Sequence, residues 1–148
     1  MADVPVEEYL CTRIRRAEQA LMAHHEAVLR GYGLTMTQYT VLLALSREDA
    51  LSGAQLARAC GVTQQSMATV LTTLQGKDLI GREPSPVHAK VLMARLTPAG
   101  AGLLDRAYQE VNVLERQLSD TFSPAEHAAL CDLLDRATAT LVEQTRRP

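Results

Sequence analysis

The stretch SGAQLARACGVTQQSMATVLTTLQ, residues 52–75, constrains this chain more than any other. It reads as two short helices joined by a tight turn. Ser52 is placed to cap the first, with Gln55 three residues on to return the bond, and Thr63 is placed to cap the second. Gly61 stands between them, where a helix end calls for a residue that tolerates positive φ. Leu56, Cys60, Val62, Met67, Val70 and Leu74 are apolar at spacings that let two crossed helices share a small core, and Ala57 is small where they approach. The second helix also carries Gln64, Gln65, Ser66, Thr69, Thr72 and Thr73, with no acid before Asp78. A solvated helix face normally carries Glu and Lys. Short, uncharged hydrogen-bonding side chains instead suit the reading of base edges in a major groove. The plainer alternative is a helical hairpin with a polar, solvated face.

The length of 148 residues suits a single domain, 1–148, with enough material for a core. With one Phe, four Tyr and no Trp, that core must be aliphatic. No apolar run approaches the ~20 residues of a membrane span. The start MADVPVEEY lacks the basic and apolar segments of a signal peptide, so a cytoplasmic location and no membrane contact are expected. Cys11, Cys60 and Cys131 are too scattered for a disulfide framework. The formal net charge is −2, yet residues 52–97 hold five bases (Arg58, Lys77, Arg82, Lys90, Arg95) against two acids (Asp78, Glu83), a net of +3. A basic lobe on an acidic body fits a sequence-specific reader better than a nonspecific polyanion coat.

Upstream, Leu10, Ile14, Ala17, Leu21 and Val28 recur every three or four positions, predicting an amphipathic helix over residues 6–30 that Gly31 and Gly33 stop. Thr35 and Gln38 form a capping box for a second helix whose interior, TVLLALS, is apolar nearly all round. Residues 47–51 read as a polar joint. Downstream, residues 79–83 and 90–96 are β-capable segments separated by PSPVHA, which predicts a two-stranded β-wing with a loose tip. Thr97-Pro98 is a strong helix start. That helix, continuing to about Asp120, spans roughly 35 Å. It carries Leu104, Ala107, Val111, Leu114 and Leu118 on one face. Ser123 and Glu126 open the last helix, with Leu130, Leu133, Leu134, Ala137 and Leu141 expected inward. The fold class is thus mainly α, a winged helix-turn-helix (52–97) flanked by long helices. The long stripes exceed what a module of this size can cover, so a second copy is expected to pair with residues 6–30 and 97–146.

Three segments, LTMTQYTVLLAL at 34–45, LSGAQLARACGVTQQSMATVLTTLQGKDLIGREP at 51–84 and VLMARLTPAG at 91–100, resemble the MarR (multiple antibiotic resistance regulator) family of winged-helix repressors. The resemblance implies a homodimer on double-stranded DNA, with recognition helices in adjacent major grooves of an inverted-repeat operator and wings in minor grooves. Carried over by position, Gln64, Gln65, Ser66 and Thr69 would face bases, Thr63, Thr73 and Lys77 would lie near phosphates, and Gln55 and Arg58 would touch backbone. Lys77 also suits the helix C-terminal dipole. On the wing, the family commonly has an Asp and, two residues later, an Arg that enters the minor groove. Here those positions hold His88 and Lys90, a more hydrated point charge than the guanidinium fork, with Arg82 or Arg95 available to compensate.

The resemblance further implies release of DNA by a small phenolic or anionic effector. The residues proposed to line its crevice are Arg13, His24, His25, Tyr32, Met36 and Tyr39, each of which also has a plainer reading as solvated or core residue. Cys11 lies 24 residues before Thr35, the placement of the reactive thiol in the family's organic-hydroperoxide-sensing branch. The tyrosines of that branch would fall at Arg15 and His25 and are missing; the alternative is a buried helix residue. His24, His25, His88 and His127 are scattered, and neither a metal site nor a cofactor is expected. No phosphate loop, nucleophile elbow or HExxH occurs, which leaves an enzyme without support. The competing class is a helical protein-interaction module, whose face would carry apolar anchors rather than Gln, Ser and Thr.

Overall fold

A computed structural model describes residue 5 and residues 8–146. Along them run α1 (Leu10–Gly31), α2 (Met36–Leu45), β1 (Leu51–Ser52), α3 (Gly53–Cys60), α4 (Gln64–Gly76), β2 (Ile80–Pro84), β3 (Leu92–Leu96), α5 (Pro98–Asp120) and α6 (Pro124–Thr145). Chain packing separates two compact units, one ending at Glu110 and one starting at Val111.

Local signals set most of the helix ends. Thr35 with Gln38, Ser52 with Gln55 and Ser123 with Glu126 each form the reciprocal capping box that satisfies two otherwise orphaned amides. Thr63 accepts from the Ser66 amide at 3.1 Å. Gly61 ends α3 in the left-handed region at φ 64°, which turns the chain into α4. Helix α1 is helical only from Leu10; Val6, where the sequence pattern starts it, lies outside the described residues.

The first unit is built around α2. Val41 and Leu42 are fully buried with Leu29 of α1, Leu56 of α3, and Met67, Leu71 and Leu74 of α4. Leu71 is absent from the core expected on sequence, yet it lies between Met67 and Leu74 on one α4 face and is buried. Cys60, Val62 and Val70 are only half-buried.

The wing differs from the expected hairpin by one strand. Leu51 and Ser52, read as part of a polar joint, pair antiparallel with Ala94 and Met93, giving a three-stranded sheet in the order β1-β3-β2. The strands β2 and β3 pair from Ile80↔Leu96 to Pro84↔Leu92, so Pro84 sits at the strand end, where its missing donor costs little. The tip is tied: Ser85 N donates to Val91 O at 2.7 Å, and Ser85 Oγ accepts from the Val87 and His88 amides.

Thr97 seats α5 on the wing base. Its hydroxyl donates to Asp78 O at 2.7 Å and accepts from the Gly100 amide at 3.0 Å, while Thr97 N donates to Leu79 O. Gly100 packs so tightly here that a Cβ would stand 2.0 Å from Leu79 O.

The last helix corrects the sequence reading. Leu130, Leu133, Leu134, Ala137 and Leu141 do not face inward in the single chain: no residue of α6 is buried, and Leu133 and Leu141 are 55% and 57% exposed. Their own unit offers only the end of α5, too little apolar surface to cover a 22-residue helix. Leu118 of α5 is likewise exposed. Among the described residues no helix is long and apolar enough to cross a membrane.

Candidate nucleic-acid interface

The second helix of the turn presents the chemistry anticipated for it. Met67, Leu71 and Leu74 anchor α4 in the core, which forces Gln64, Gln65, Ser66, Thr69, Thr72 and Thr73 outward, and all six are exposed. The threonine hydroxyls already donate to carbonyls one turn back, Thr72 to Ala68 at 2.9 Å and Thr73 to Thr69 at 3.0 Å, with Thr69 to Gln65 longer at 3.4 Å. Each retains acceptor capacity. Thr63 and Ser66 are bonded to each other at 2.9 Å. Among the described residues nothing hydrogen-bonds the Gln64 or Gln65 side-chain amides, so each keeps the paired donor and acceptor that can address an adenine edge. The Ser66 amide is capped by Thr63, and the positive end of the α4 dipole lies at the exposed Gln64 and Gln65, which suits a phosphate.

The basic residues divide into two sets. Arg58 and Lys90 are exposed with no ion pair among the described residues, and His88 stands exposed on the wing tip. Gln55 is exposed, but its side-chain oxygen accepts from Ser52, leaving only the amide NH2 to reach outward. Lys77 is committed elsewhere. Its ammonium donates to Gly33 O at 2.6 Å, tying the C-terminal end of α4 to the turn between α1 and α2. Arg95 donates to Asp49 O at 3.2 Å and lies 4.0 Å from Glu83, so it braces the β1 side of the sheet. Arg82 is half-buried, its Nε shielded with no hydrogen-bond partner. Arg95 is thus engaged within the chain, while Arg82 has its Nε buried without a partner.

Of the residues proposed to line an effector crevice, Met36 borders one cavity and Tyr39 lies beside another. Arg13 and His24 are exposed on α1; His25 is half-buried, its ring edge-on to His24 at 6.2 Å between centroids. Tyr32 caps α1. Met36 lines a small cavity of about 250 Å³ with Glu26, Arg30, Leu34 and Thr35. A larger cavity of about 360 Å³ lies between the end of α2, β3 and the first turns of α5, lined by Leu43, Ser46, Arg47, Leu96, Ala101, Leu104, Asp105 and Tyr108. Sequence reading missed all of these, because only packing brings α2 and α5 together. Tyr39 is buried beside this cavity. Burial pushes its phenol above the ordinary tyrosine value, Tyr108 adds to the rise, and Arg47 opposes it.

Cys11 is exposed on the first turn of α1. The alternative reading of it as a buried helix residue is thus corrected for the single chain, since α1 begins only one residue earlier and none of the described residues buries that turn. Burial raises the Cys60 thiol above its ordinary value, which disfavours the thiolate.

Residues 32–90, from the α1–α2 turn through the wing tip, match the family model described as the MarR family. A relative in Mycobacterium tuberculosis, the HTH-type transcriptional repressor Rv2887, is 34% identical over 103 residues, 70% of this chain and 74% of that one. The chain belongs to the MarR family. It is a DNA-binding transcription regulator, not an enzyme. Among solved structures, the repressor CouR bound to a 23-mer DNA duplex superposes with a TM-score of 0.80 at 24% identity, over 90% of this chain and 94% of that one. BpsR of Bordetella bronchiseptica, whose DNA binding is regulated by 6-hydroxynicotinic acid, gives 0.77 at 24% identity over 91% and 96%. At those identities the likeness establishes the MarR fold.

Proposed function

We propose that this MarR-family chain is a dimeric repressor that reads an inverted repeat in double-stranded DNA with α4 and leaves it when a small aromatic anion binds. The observation that carries the DNA reading is the exposed, acid-free face of α4. Gln64, Gln65, Ser66 and Thr69 are assigned to bases, with Thr63 and Thr73 beside phosphates and Gln55 and Arg58 on the flanking backbone. Lys90 and His88 are assigned to the minor groove. Lys77, Arg82 and Arg95 are withdrawn from direct contact, because each is tied or shielded within the chain.

The exposed leucine stripe of α6 supports the dimer, with residues 97–146 and the first helix supplying the contact. A run of Leu130, Leu133, Leu134 and Leu141 left in water would be an aggregation hazard unless a second copy covered it. A twofold axis then sets two recognition helices about one DNA turn apart, ~34–36 Å. The 360 Å³ cavity supports the effector reading: Leu43, Leu96 and Leu104 suit a ring, Tyr108 can stack on it, and Arg47 can pair with a carboxylate. BpsR, of the same fold, responds to an aromatic acid.

The test is binding of the full chain to the promoter beside its own gene, by fluorescence anisotropy across a salt series. Replacing Gln64 or Gln65 by Ala should lower specific affinity by about 1–3 kcal/mol, roughly 5- to 150-fold, and leave binding to random duplex unchanged. A flat salt response in the wild-type protein would refute DNA binding.

A further inference from the structure

The end of the wing is apolar where a solvated loop is ordinarily polar. Val87 is 77% exposed, more than any other large apolar side chain among the described residues. Val91 and Leu92 are exposed near it, as are Pro84 and Pro86. We propose that this tip enters the DNA minor groove as an apolar wedge led by Val87, an inference that rests on the reading of α4 as the major-groove helix.

The loop holds Val87 in one conformation. Pro86 fixes the backbone angle just before it. Ser85 Oγ accepts from the Val87 and His88 amides at 3.3 Å each, Ser85 N donates to Val91 O at 2.7 Å, and Val91 N donates to His88 O at 2.8 Å. Those four amides are thereby satisfied within the loop, and the side chains are left to meet a partner. Valine is β-branched, so insertion costs it little rotamer freedom.

Charge and reach select DNA as that partner. From Pro84 to Ala94 the chain carries no acid, and Lys90 and His88 lie within three residues of Val87. The same segment holds no arginine, so apolar contact supplies what a guanidinium in the groove otherwise would. A minor groove ~6 Å wide admits a narrow loop, and apolar side chains inserted there open base steps. Helix α4 packs against β2, whose residues Ile80–Pro84 extend toward the tip. A strand of that length spans ~16 Å. Half a DNA turn, the step from a major groove to the next minor groove, is ~17 Å.

The experiment uses the full-length protein and a duplex of the promoter beside its own gene, with 2-aminopurine placed in turn at the adenines flanking each half-site. Binding of the wild type should raise the fluorescence of a flanking 2-aminopurine as its base step opens. Val87→Ser should abolish that rise and weaken binding roughly tenfold, while the log–log salt slope stays as in the wild type. Lys90→Met should instead lower the slope by about 0.9. The unchanged slope separates a lost wedge from a displaced wing, since displacement would remove the Lys90 contact as well. Equal affinity of Val87→Ser and wild type, a reduced slope in Val87→Ser, or no fluorescence rise with the wild type overturns the proposal and leaves the α4 reading standing. Loss of the dimer in Val87→Ser by sedimentation also overturns it, by giving the tip to a second copy. Failure of the wild type to bind the duplex overturns both readings.

Discussion

Replacing Gly100 by Ala should be the most damaging single-methyl addition in this chain. The new Cβ would stand 2.0 Å from Leu79 O and 2.9 Å from Leu79 C, against ~3.5 Å for ordinary heavy-atom contact. Neither obstacle is a flexible side chain, so the first turn of α5 must retreat from the wing base by roughly 1 Å or more. Two hydrogen bonds span that joint, Thr97 N to Leu79 O at 3.1 Å and Thr97 Oγ1 to Asp78 O at 2.7 Å, and Gly100 N to Thr97 Oγ1 at 3.0 Å caps the first turn of α5. Overpacking costs about 1–3 kcal/mol and each weakened bond up to about 1 kcal/mol, set against a gain of about 1 kcal/mol in helix propensity. The net loss should be about 2–4 kcal/mol. That is a large share of the ~5–15 kcal/mol typical of a folded domain. Gly76→Ala is the matched control. Gly76 ends α4 with helical backbone and nothing within 4 Å of its missing Cβ, so that change should be neutral or stabilising by up to about 1 kcal/mol. Urea denaturation at one fixed protein concentration measures both. If Gly100→Ala matched or exceeded the wild type, the close approach would not be a constraint and the reasoning would fail.

Lys77→Met should lower stability by about 1 kcal/mol, a charged hydrogen bond discounted for its exposure, and leave the salt dependence of DNA binding unaltered. A fall in the log–log salt slope of about 0.9 would instead make Lys77 a phosphate ligand. Leu134→Glu, on the α6 stripe, should shift sedimentation from dimer to monomer and abolish inverted-repeat binding; retention of the dimer would place the interface elsewhere. Hydrogen bonds from the Ser123 amide and hydroxyl hold the Glu126 carboxyl below its ordinary value. Its contribution to α6 is therefore fully present above that ordinary value and lost as pH falls through the lowered one. The melting-temperature gap between wild type and Glu126→Ala should accordingly shrink in acid, and a gap independent of pH would contradict the capping account.

The helix starts were legible because their causes are local. Each capping box joins residues three apart, and Gly61 answers a backbone angle at its own position, so the side chains at those few positions suffice. The outward face of α4 was legible too, since helical periodicity separates its polar residues from Met67 and Leu74.

Other features had no local cause. The two-residue strand β1 has no pattern of its own and exists because β3 offers Met93 and Ala94 an unpaired edge. Lys77 and Arg95 bond carbonyls 44 and 46 residues away, contacts that no spacing in the sequence signals. The cavity joins α2 to α5, and the need for glycine at position 100 arises from the oxygen of Leu79. The sequence by itself determined where α2 to α6 begin, which face of each is apolar and what chemistry α4 displays, because those depend on neighbours within one or two turns. Which basic side chains are engaged within the chain, where a cavity lies and which leucines stay exposed were decided only by tertiary structure, because each depends on what distant segments bring within contact range.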